Sequence, residues 1–139
     1  GLAAICSRAV KNNKRIYLSG QGADEIISDY GFGGKKIYNH SGFGGKFPLT
    51  LENFFPWESF YDGTQIKYLN KEEYIAGYYG IETRYPFLDS KLVQEFLWLK
   101  TELKNSKYKS ALYEYLSYNN FPFSTEKIGF NVLKGLIWK

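Results

Sequence analysis

The sequence predicts an α/β fold that is mostly helical. Its clearest unit is an apolar strand, "RIYLSG" at 15–20, which runs through a turn containing Gly20 and Gly22 into helical residues from Ala23 to Ser28. Strand–turn–helix units of this kind are common where parallel sheets bind ligands. Elsewhere, apolar residues recur at helical spacing and indicate about five or six helices.

Each further element follows from a local signal. Asn70 and Asp89 are the expected N-caps of two helices, and Pro86 keeps "IETRYPFLD" extended because the residue before a proline avoids helix. One clear strand cannot make a sheet, so we expect its partner strands outside this chain rather than in the aromatic-rich segment 51–63. The predicted helices cover 2–10, 70–80, 90–99 and 108–118, with a last helical turn or two at 131–138.

Composition restricts the classes of function. Hydrophobic residues make up 44% of the chain, which is typical of a globular protein. The net charge of +4, with scattered lysines, suits an anionic small ligand. A basic, aromatic-rich nucleic-acid binder is the alternative, and the sequence contains no recognised RNA- or DNA-binding motif, so we expect no nucleic-acid partner. No apolar run is long enough to span a membrane, so we expect no membrane partner. Cys6 is the only cysteine and cannot form an internal disulfide, so we expect a cytoplasmic protein.

The Gly20–Gly22 turn has two interpretations at this stage. Glycines let a ligand approach the backbone, and amide groups at a helix start favour an anion. Asp24 and Glu25, which follow the turn, could hold Mg²⁺ beside a phosphate. A plain strand-to-helix turn with a solvated acidic first turn also explains the pattern, and Gly-x-Gly alone does not decide between them.

The pentapeptide "GFGGK" occurs at 31–35 and again at 42–46, inside a loop predicted from Asp29 to Pro48. Neither copy fits the phosphate-binding pattern Gly-x-x-x-x-Gly-Lys-Ser/Thr. Asp29 and His40 stand where the first glycine is required, and no Ser or Thr follows either lysine. We therefore interpret both copies as part of a flexible loop or lid.

Two charged segments carry further candidates. Glu82 and Arg84 alternate on the extended "GIETRYPFLD", so their side chains point to the same face. Glu82 can be a base or an orienting group, or it can be half of an ion pair with a Lys or Arg, and the spacing does not separate these. Lys127 in "EKIGF" lies in a predicted loop and matters only if it turns inward onto phosphate.

Taken in order, "LSGQGADE", "GIETRYPFLD", a lysine before a helix and "EKIGF" resemble the synthetase domain of glutamine-dependent asparagine synthetases. The similarity runs from about Ile16 to about Phe130. It implies a nucleotide-alpha-hydrolase-like (ATP pyrophosphatase) fold, of which residues 1–139 would be the C-terminal, mostly helical half. It also implies an amide-forming ligase of the asparagine-biosynthesis type that uses ATP and Mg²⁺. Such an enzyme adenylates an aspartate-like carboxylate, releases pyrophosphate and lets ammonia or an amine displace AMP, whereas the related β-lactam synthetases close a ring.

The resemblance implies a role for each matched residue. The residues of the turn would contact ATP, an aspartate after the turn would bind Mg²⁺ on the pyrophosphate, and three further residues would take part in catalysis. The lysine of the catalytic group would be a cation placed where charge develops on phosphate. The ATP-binding group is Ser19, Gly20 and Gly22, the metal ligand is Asp24, and the catalytic group is Gln21, Glu82 and Lys127.

The chain departs from the family at several positions. Gln21 stands where asparagine synthetases normally have Glu and β-lactam synthetases have Tyr. A glutamine can orient a substrate by hydrogen bonds but cannot take a proton. Tyr113 and Thr125 also stand where the family often has Arg. These departures indicate a different acceptor or nitrogen donor, or a non-catalytic remnant that acts as a binding or scaffold module.

Two parts of the family's enzymes have no counterpart in this sequence. They are the pyrophosphate loop Ser-Gly-Gly-x-Asp-Ser and the glutaminase domain with its N-terminal Cys nucleophile. We expect the loop and the other strands of the sheet in a missing N-terminal segment or in a partner chain. On this interpretation the 139 residues are a fragment that does not turn over ATP alone.

Overall fold

A computed structural model describes residues 1–28, 31–32, 35–36, 46–107 and 109–124. This part of the chain is mostly helical with short strands, in agreement with the predicted α/β class. A π-helical turn covers Asp24–Ser28, and 3₁₀ turns cover Leu51–Asn53 and Pro86–Leu88. The helices are α1 (Leu2–Lys11), α2 (Glu58–Tyr61), α3 (Gly63–Tyr78), α4 (Ser90–Trp98), α5 (Thr101–Asn105) and α6 (Ser110–Tyr118). The strands are β1 (Ile16–Leu18), β2 (Gly31–Phe32), β3 (Lys35–Lys36) and β4 (Glu82–Arg84).

The strand that sequence analysis identified has a partner within the chain. β1 pairs with β4 in parallel, with Ile16 opposite Glu82, and the Ser19 N–H donates to the Arg84 carbonyl at 2.9 Å just beyond the ladder. The expectation that all partner strands lie outside the chain is therefore wrong. The three residues of β4 carry no apolar strand signal, and their extended shape alone did not reveal the pairing.

A second, smaller ladder lies in the predicted loop. β2 and β3 pair antiparallel, with Gly31 opposite Lys36 and Phe32 opposite Lys35. The loop predicted from Asp29 to Pro48 is corrected at these positions. Residues 37–45, which include most of the second "GFGGK" copy, lie outside the described residues.

The helix predictions that fall on described residues are confirmed in type, and the predicted start of one helix is wrong. Asp89 caps α4 as predicted, since its carboxylate accepts from two backbone N–H groups of the first turn. α3 begins at Gly63, well before the predicted cap at Asn70, and packs against α1 and α2. Its end agrees with the prediction, because Gly80 follows it with φ +65°. α2 and α5 were not predicted, and the helical turns expected at 131–138 lie outside the described residues.

Two hydrophobic clusters support the fold. The larger cluster contains residues of the π-helical turn, of α4 and of the aromatic segment that precedes α3. Its aromatic rings meet edge to face, as in Trp57 and Phe60, whose ring centroids are 4.8 Å apart. The smaller lies between α1, α3 and the start of β4, around Cys6, Ala76 and Ile81. The turn after β1 lies between them, since Tyr17 packs on the smaller cluster and Ile26 belongs to the larger.

Within the described ranges, every helix is too short or too polar to cross a membrane.

Candidate functional site

The turn at 19–22 leaves β1 at the carboxyl end of a parallel strand pair, where α/β proteins bind their ligands. Its two glycines have different surroundings. No described atom lies within 4 Å of the place where a Cβ on Gly20 would stand, so this side of the turn is open. A ligand can therefore approach the backbone at Gly20.

Gly22 is required by the fold itself. Its φ is +91°, and a Cβ there would stand 2.3 Å from Cδ2 of Leu88. Leu88 belongs to "YPFLD", so the two segments that carry the family resemblance pack on each other at this glycine. The pattern Gly-x-Gly thus has one packing glycine and one open glycine.

A buried carboxylate from α3 lies beneath the turn. The Ser19 hydroxyl donates to Oε2 of Glu72 at 2.5 Å, and the Gln21 side-chain amide donates to Oε1 at 3.4 Å. The Gln21 backbone N–H in turn donates to the Ser19 hydroxyl at 3.1 Å. Glu72 therefore holds both polar side chains of the turn, one on each carboxylate oxygen.

Glu72 also acts on its surroundings through its charge. Burial raises the pKa of the Cys6 thiol, and the Glu72 carboxylate raises it further. The same two causes, burial first, raise the pKa of Tyr17. Both groups therefore stay protonated at neutral pH, which makes the Cys6 thiol a poor nucleophile.

The next carboxylate along the chain stabilises the turn from the other side. Glu25 is buried, and its Oε2 accepts from the Gly22 N–H at 3.1 Å. Its carbonyl accepts from Nε1 of Trp57 at 2.9 Å. The turn is thus tied to the larger hydrophobic cluster as well as to α3.

Asp24 meets a lysine from a distant segment. Nζ of Lys109 lies 2.7 Å from Oδ1 of Asp24, and both side chains are about a quarter to a third exposed. Lys109 stands just before α6 with φ +52°, in the left-handed region that non-glycine residues rarely occupy. An acid and a cation thus lie together beside the open turn, within reach of solvent.

Glu82 and Arg84 lie on the same face of β4, as predicted, and pair with each other at 2.7 Å. Their side chains are 59% and 58% exposed. Glu82 lies opposite Ile16, at the far end of the pairing from the turn, about 7 Å from the carboxyl edge. The structure therefore does not bring Glu82 to Gln21, and the ion-pair interpretation of the sequence describes this contact.

A separate polar group lies beside the same strand. The carboxylate of Glu73 accepts from the Thr83 hydroxyl and, at 2.8 Å, from the Tyr85 hydroxyl. Burial raises the pKa of Tyr85 to about 12, and the contact with Glu73 adds to the rise. Tyr85 is therefore neutral and donates its proton throughout the physiological range.

The structure brings together most of the predicted site and adds two residues to it. Ser19, Gly20, Gln21 and Gly22 form one turn, with Asp24 just after it. Lys127 and the rest of "EKIGF" lie outside the described residues. Two residues that sequence analysis did not assign to the site, Glu72 and Lys109, contact it. The signal for Lys109 was its match to the lysine before a helix, whereas Glu72 gave no signal because Ser19 lies 53 positions away.

Metal binding by this site would depend on few protein ligands. In the portion of the chain that the structure describes, no group of three or more His, Cys, Asp or Glu residues is arranged to hold a metal ion. Mg²⁺ beside phosphates commonly takes only one or two carboxylates and completes its shell with phosphate oxygens and water. Asp24, as a single accessible carboxylate next to an open turn, fits that kind of site.

Comparison with known proteins yielded no relative: no family model, no curated protein and no solved structure matches this chain significantly. Membership of the asparagine synthetase family stays a prediction that depends on the motifs and on the geometry around them.

Proposed function

We propose that this chain carries part of the active site of an ATP-dependent, amide-forming synthetase. The reaction is adenylation of an aspartate-like carboxylate with release of pyrophosphate, followed by attack of ammonia or an amine. One observation carries the proposal: "LSGQG" and "GIETRYPFLD", far apart in sequence, lie side by side on adjacent parallel strands. The Ser19–Arg84 backbone bond and the packing of Leu88 on Gly22 join them. The same segments carry the resemblance, which supports a ligand site at the carboxyl ends of these two strands.

The residues around the turn suit a nucleotide with its metal. The open side of Gly20 would admit phosphate close to the backbone, Asp24 would hold Mg²⁺, and Lys109 would neutralise phosphate charge. Bound Mg²⁺ would offset charge on the pyrophosphate leaving group. The Asp24–Lys109 contact of 2.7 Å keeps the two charges in place beforehand.

Other polypeptide is needed to complete this site. The proposal requires a pyrophosphate loop that the 139 residues do not contain. The exposure of β1 supports the need for additional polypeptide. Ile16 and Leu18 are 53% and 66% exposed, whereas parallel sheets are usually covered on both faces. A cytoplasmic setting belongs to the same proposal, because the one cysteine is a buried free thiol.

The test is ATP–pyrophosphate exchange by the full-length protein, with aspartate and its analogues as acceptors. We expect Mg²⁺-dependent exchange with one of these carboxylates. Asp24→Asn should lower the exchange rate about a hundredfold or more, because one metal ligand is lost. Asp62→Asn, a change of the same kind at an exposed helix start, serves as the control. Exchange that is absent with every carboxylate, or equal in Asp24→Asn and wild type, would refute the proposal.

A second candidate is a non-catalytic binding or scaffold module. The Glu82–Arg84 pair favours it, because Glu82, which the resemblance assigns to catalysis, is 59% exposed and pairs with Arg84 at the far end of the strand from the turn. Gln21, which cannot act as a base, favours it too. Calorimetric titration of the full-length protein with Mg²⁺-ATP separates the candidates, since a synthetase binds the nucleotide and the module does not.

A further inference from the structure

Glu72 is a buried carboxylate whose two oxygens are both used by the turn above it. Ser19 occupies Oε2 and Gln21 occupies Oε1. A buried carboxylate is costly unless hydrogen bonds compensate for lost water, so these contacts fix the turn as much as they satisfy Glu72. No role was assigned to Glu72 by the sequence.

The chemistry of Glu72 sets the orientation of Gln21. An ionised carboxylate only accepts hydrogen bonds, so it is the NH₂ group of the Gln21 carboxamide that faces it. The carbonyl oxygen Oε1 of Gln21 must then lie on the opposite side of the carboxamide, away from Glu72. Ser19 is committed in the same way, since its single proton goes to Glu72.

We propose that Glu72 is a positioning residue that holds the Gln21 carboxamide with its oxygen directed away from Glu72, where that oxygen accepts an N–H of the nitrogen donor. This inference depends on the proposed synthetase function and names the donor's mode of binding. The donor is then ammonia or a primary amine, held through a hydrogen bond that Gln21 accepts. Gln21 takes no proton from it.

The same contact explains the neutral residue at position 21. A glutamate there would place a second carboxylate next to Oε1 of Glu72, which lies 3.4 Å from the Gln21 amide nitrogen. Like charges this close repel, and one of the two would turn away or stay protonated. Glutamine at 21 and glutamate at 72 are therefore a matched pair.

The experiment measures amide formation by the full-length protein, with the carboxylate that supports exchange and with ammonium or hydroxylamine as probes. Glu72→Gln allows the Gln21 amide to take either orientation, and we expect the KM for the probe to rise about tenfold. In a Gln21→Leu background, Glu72→Gln should change that KM no further, because Glu72 acts through Gln21. Glu95→Gln, the same chemical change at an exposed position of α4, is the control.

The readouts keep the two proposals apart. ATP–pyrophosphate exchange needs no nitrogen donor, so the absence of exchange in the wild-type protein refutes the synthetase function. An unchanged KM for the probe in Glu72→Gln refutes only the role of Glu72. An equal rise of KM in the wild-type and Gln21→Leu backgrounds refutes it as well. If Glu72→Gln does not fold, Gln21→Glu tests the pairing of Gln21 with Glu72 instead. We expect the KM for the probe to rise in this variant, and an unchanged or lowered KM would contradict the inference.

Discussion

At the scale of single residues, the two glycines of the turn predict opposite responses to the same substitution. Gly22→Ala places a Cβ against Leu88 at a φ of +91°, so the free energy of unfolding should fall by about 1–3 kcal/mol. In Gly20→Ala the new Cβ meets no described atom within 4 Å, so the free energy of unfolding should be nearly unchanged. Denaturant unfolding of both variants measures the difference, and equal losses would contradict the packing described for Gly22.

Tyr85 predicts a pH effect on stability at the same scale. Its pKa is about 12 in the folded chain against an ordinary 10.0, so the folded state holds a proton that the unfolded state loses. The stabilisation is complete below the ordinary pKa and is lost as pH rises through the folded pKa. The unfolding free energy of wild type should therefore fall more steeply in alkali than that of Tyr85→Phe. Parallel curves for the two proteins would be the contrary result.

Individual residues were predictable where the signal was local. Asp89 was predicted as a cap because an Asp before an apolar helical pattern satisfies first-turn amides, and it does so. The common face of Glu82 and Arg84 followed from strand alternation alone. The Glu72 contact was not predictable, because nothing near Glu72 in sequence distinguishes it from its neighbour Glu73.

At the scale of elements, helices α3 and α4, which both begin after an Asp, offer a matched test of capping. Asp89 accepts from the backbone N–H groups of Lys91 and Leu92 at 3.0 and 3.2 Å, whereas Asp62, at the start of α3, makes no side-chain cap bond. Asp89→Ala should therefore cost about 1 kcal/mol of stability and Asp62→Ala much less. Thermal or denaturant unfolding gives both values, and a larger cost at Asp62 would contradict the assignment.

Elements were predicted well where apolar periodicity was strong and poorly where packing decides. α4 has a clear apolar stripe and was found within a residue of its bounds. The first turns of α3 lack such a stripe, and the sequence suggested a later start at Asn70. They become helical because α3 packs on α1 and α2, which local sequence does not reveal.

At the scale of the whole molecule, the uneven covering of the sheet predicts two different costs. Leu18 in β1 is 66% exposed, whereas Ile81, next to β4, is 5% exposed. Ile81→Ala should lower the free energy of unfolding by about 2–5 kcal/mol, and Leu18→Ala by about 0.5 kcal/mol or less. A large cost at Leu18 in this chain would mean that its outer face is covered.

The whole-molecule topology was predicted only in class. Strand–turn–helix and helical patterns gave the α/β class, because those signals are local. The parallel pairing of β1 with β4 was missed, since "ETR" is polar and its pairing joins segments separated by roughly half of the chain. The contacts of Glu72 and Lys109 with the turn could not be predicted from local sequence for the same reason, because they depend on the long-range packing of the chain.

The distance in sequence between the turn and its support also sets an order of events during synthesis. Ser19 and Glu72 are 53 residues apart, so the hydrogen bond that fixes the turn requires closure of a long loop. At ribosomal speeds, roughly 3 to 10 s separate the emergence of the two residues. During that interval the nascent turn has neither α3 beneath it nor β4 beside it. The turn of a nascent chain therefore acquires its folded shape only after α3 and β4 have left the ribosome, however early the "SGQG" residues are made.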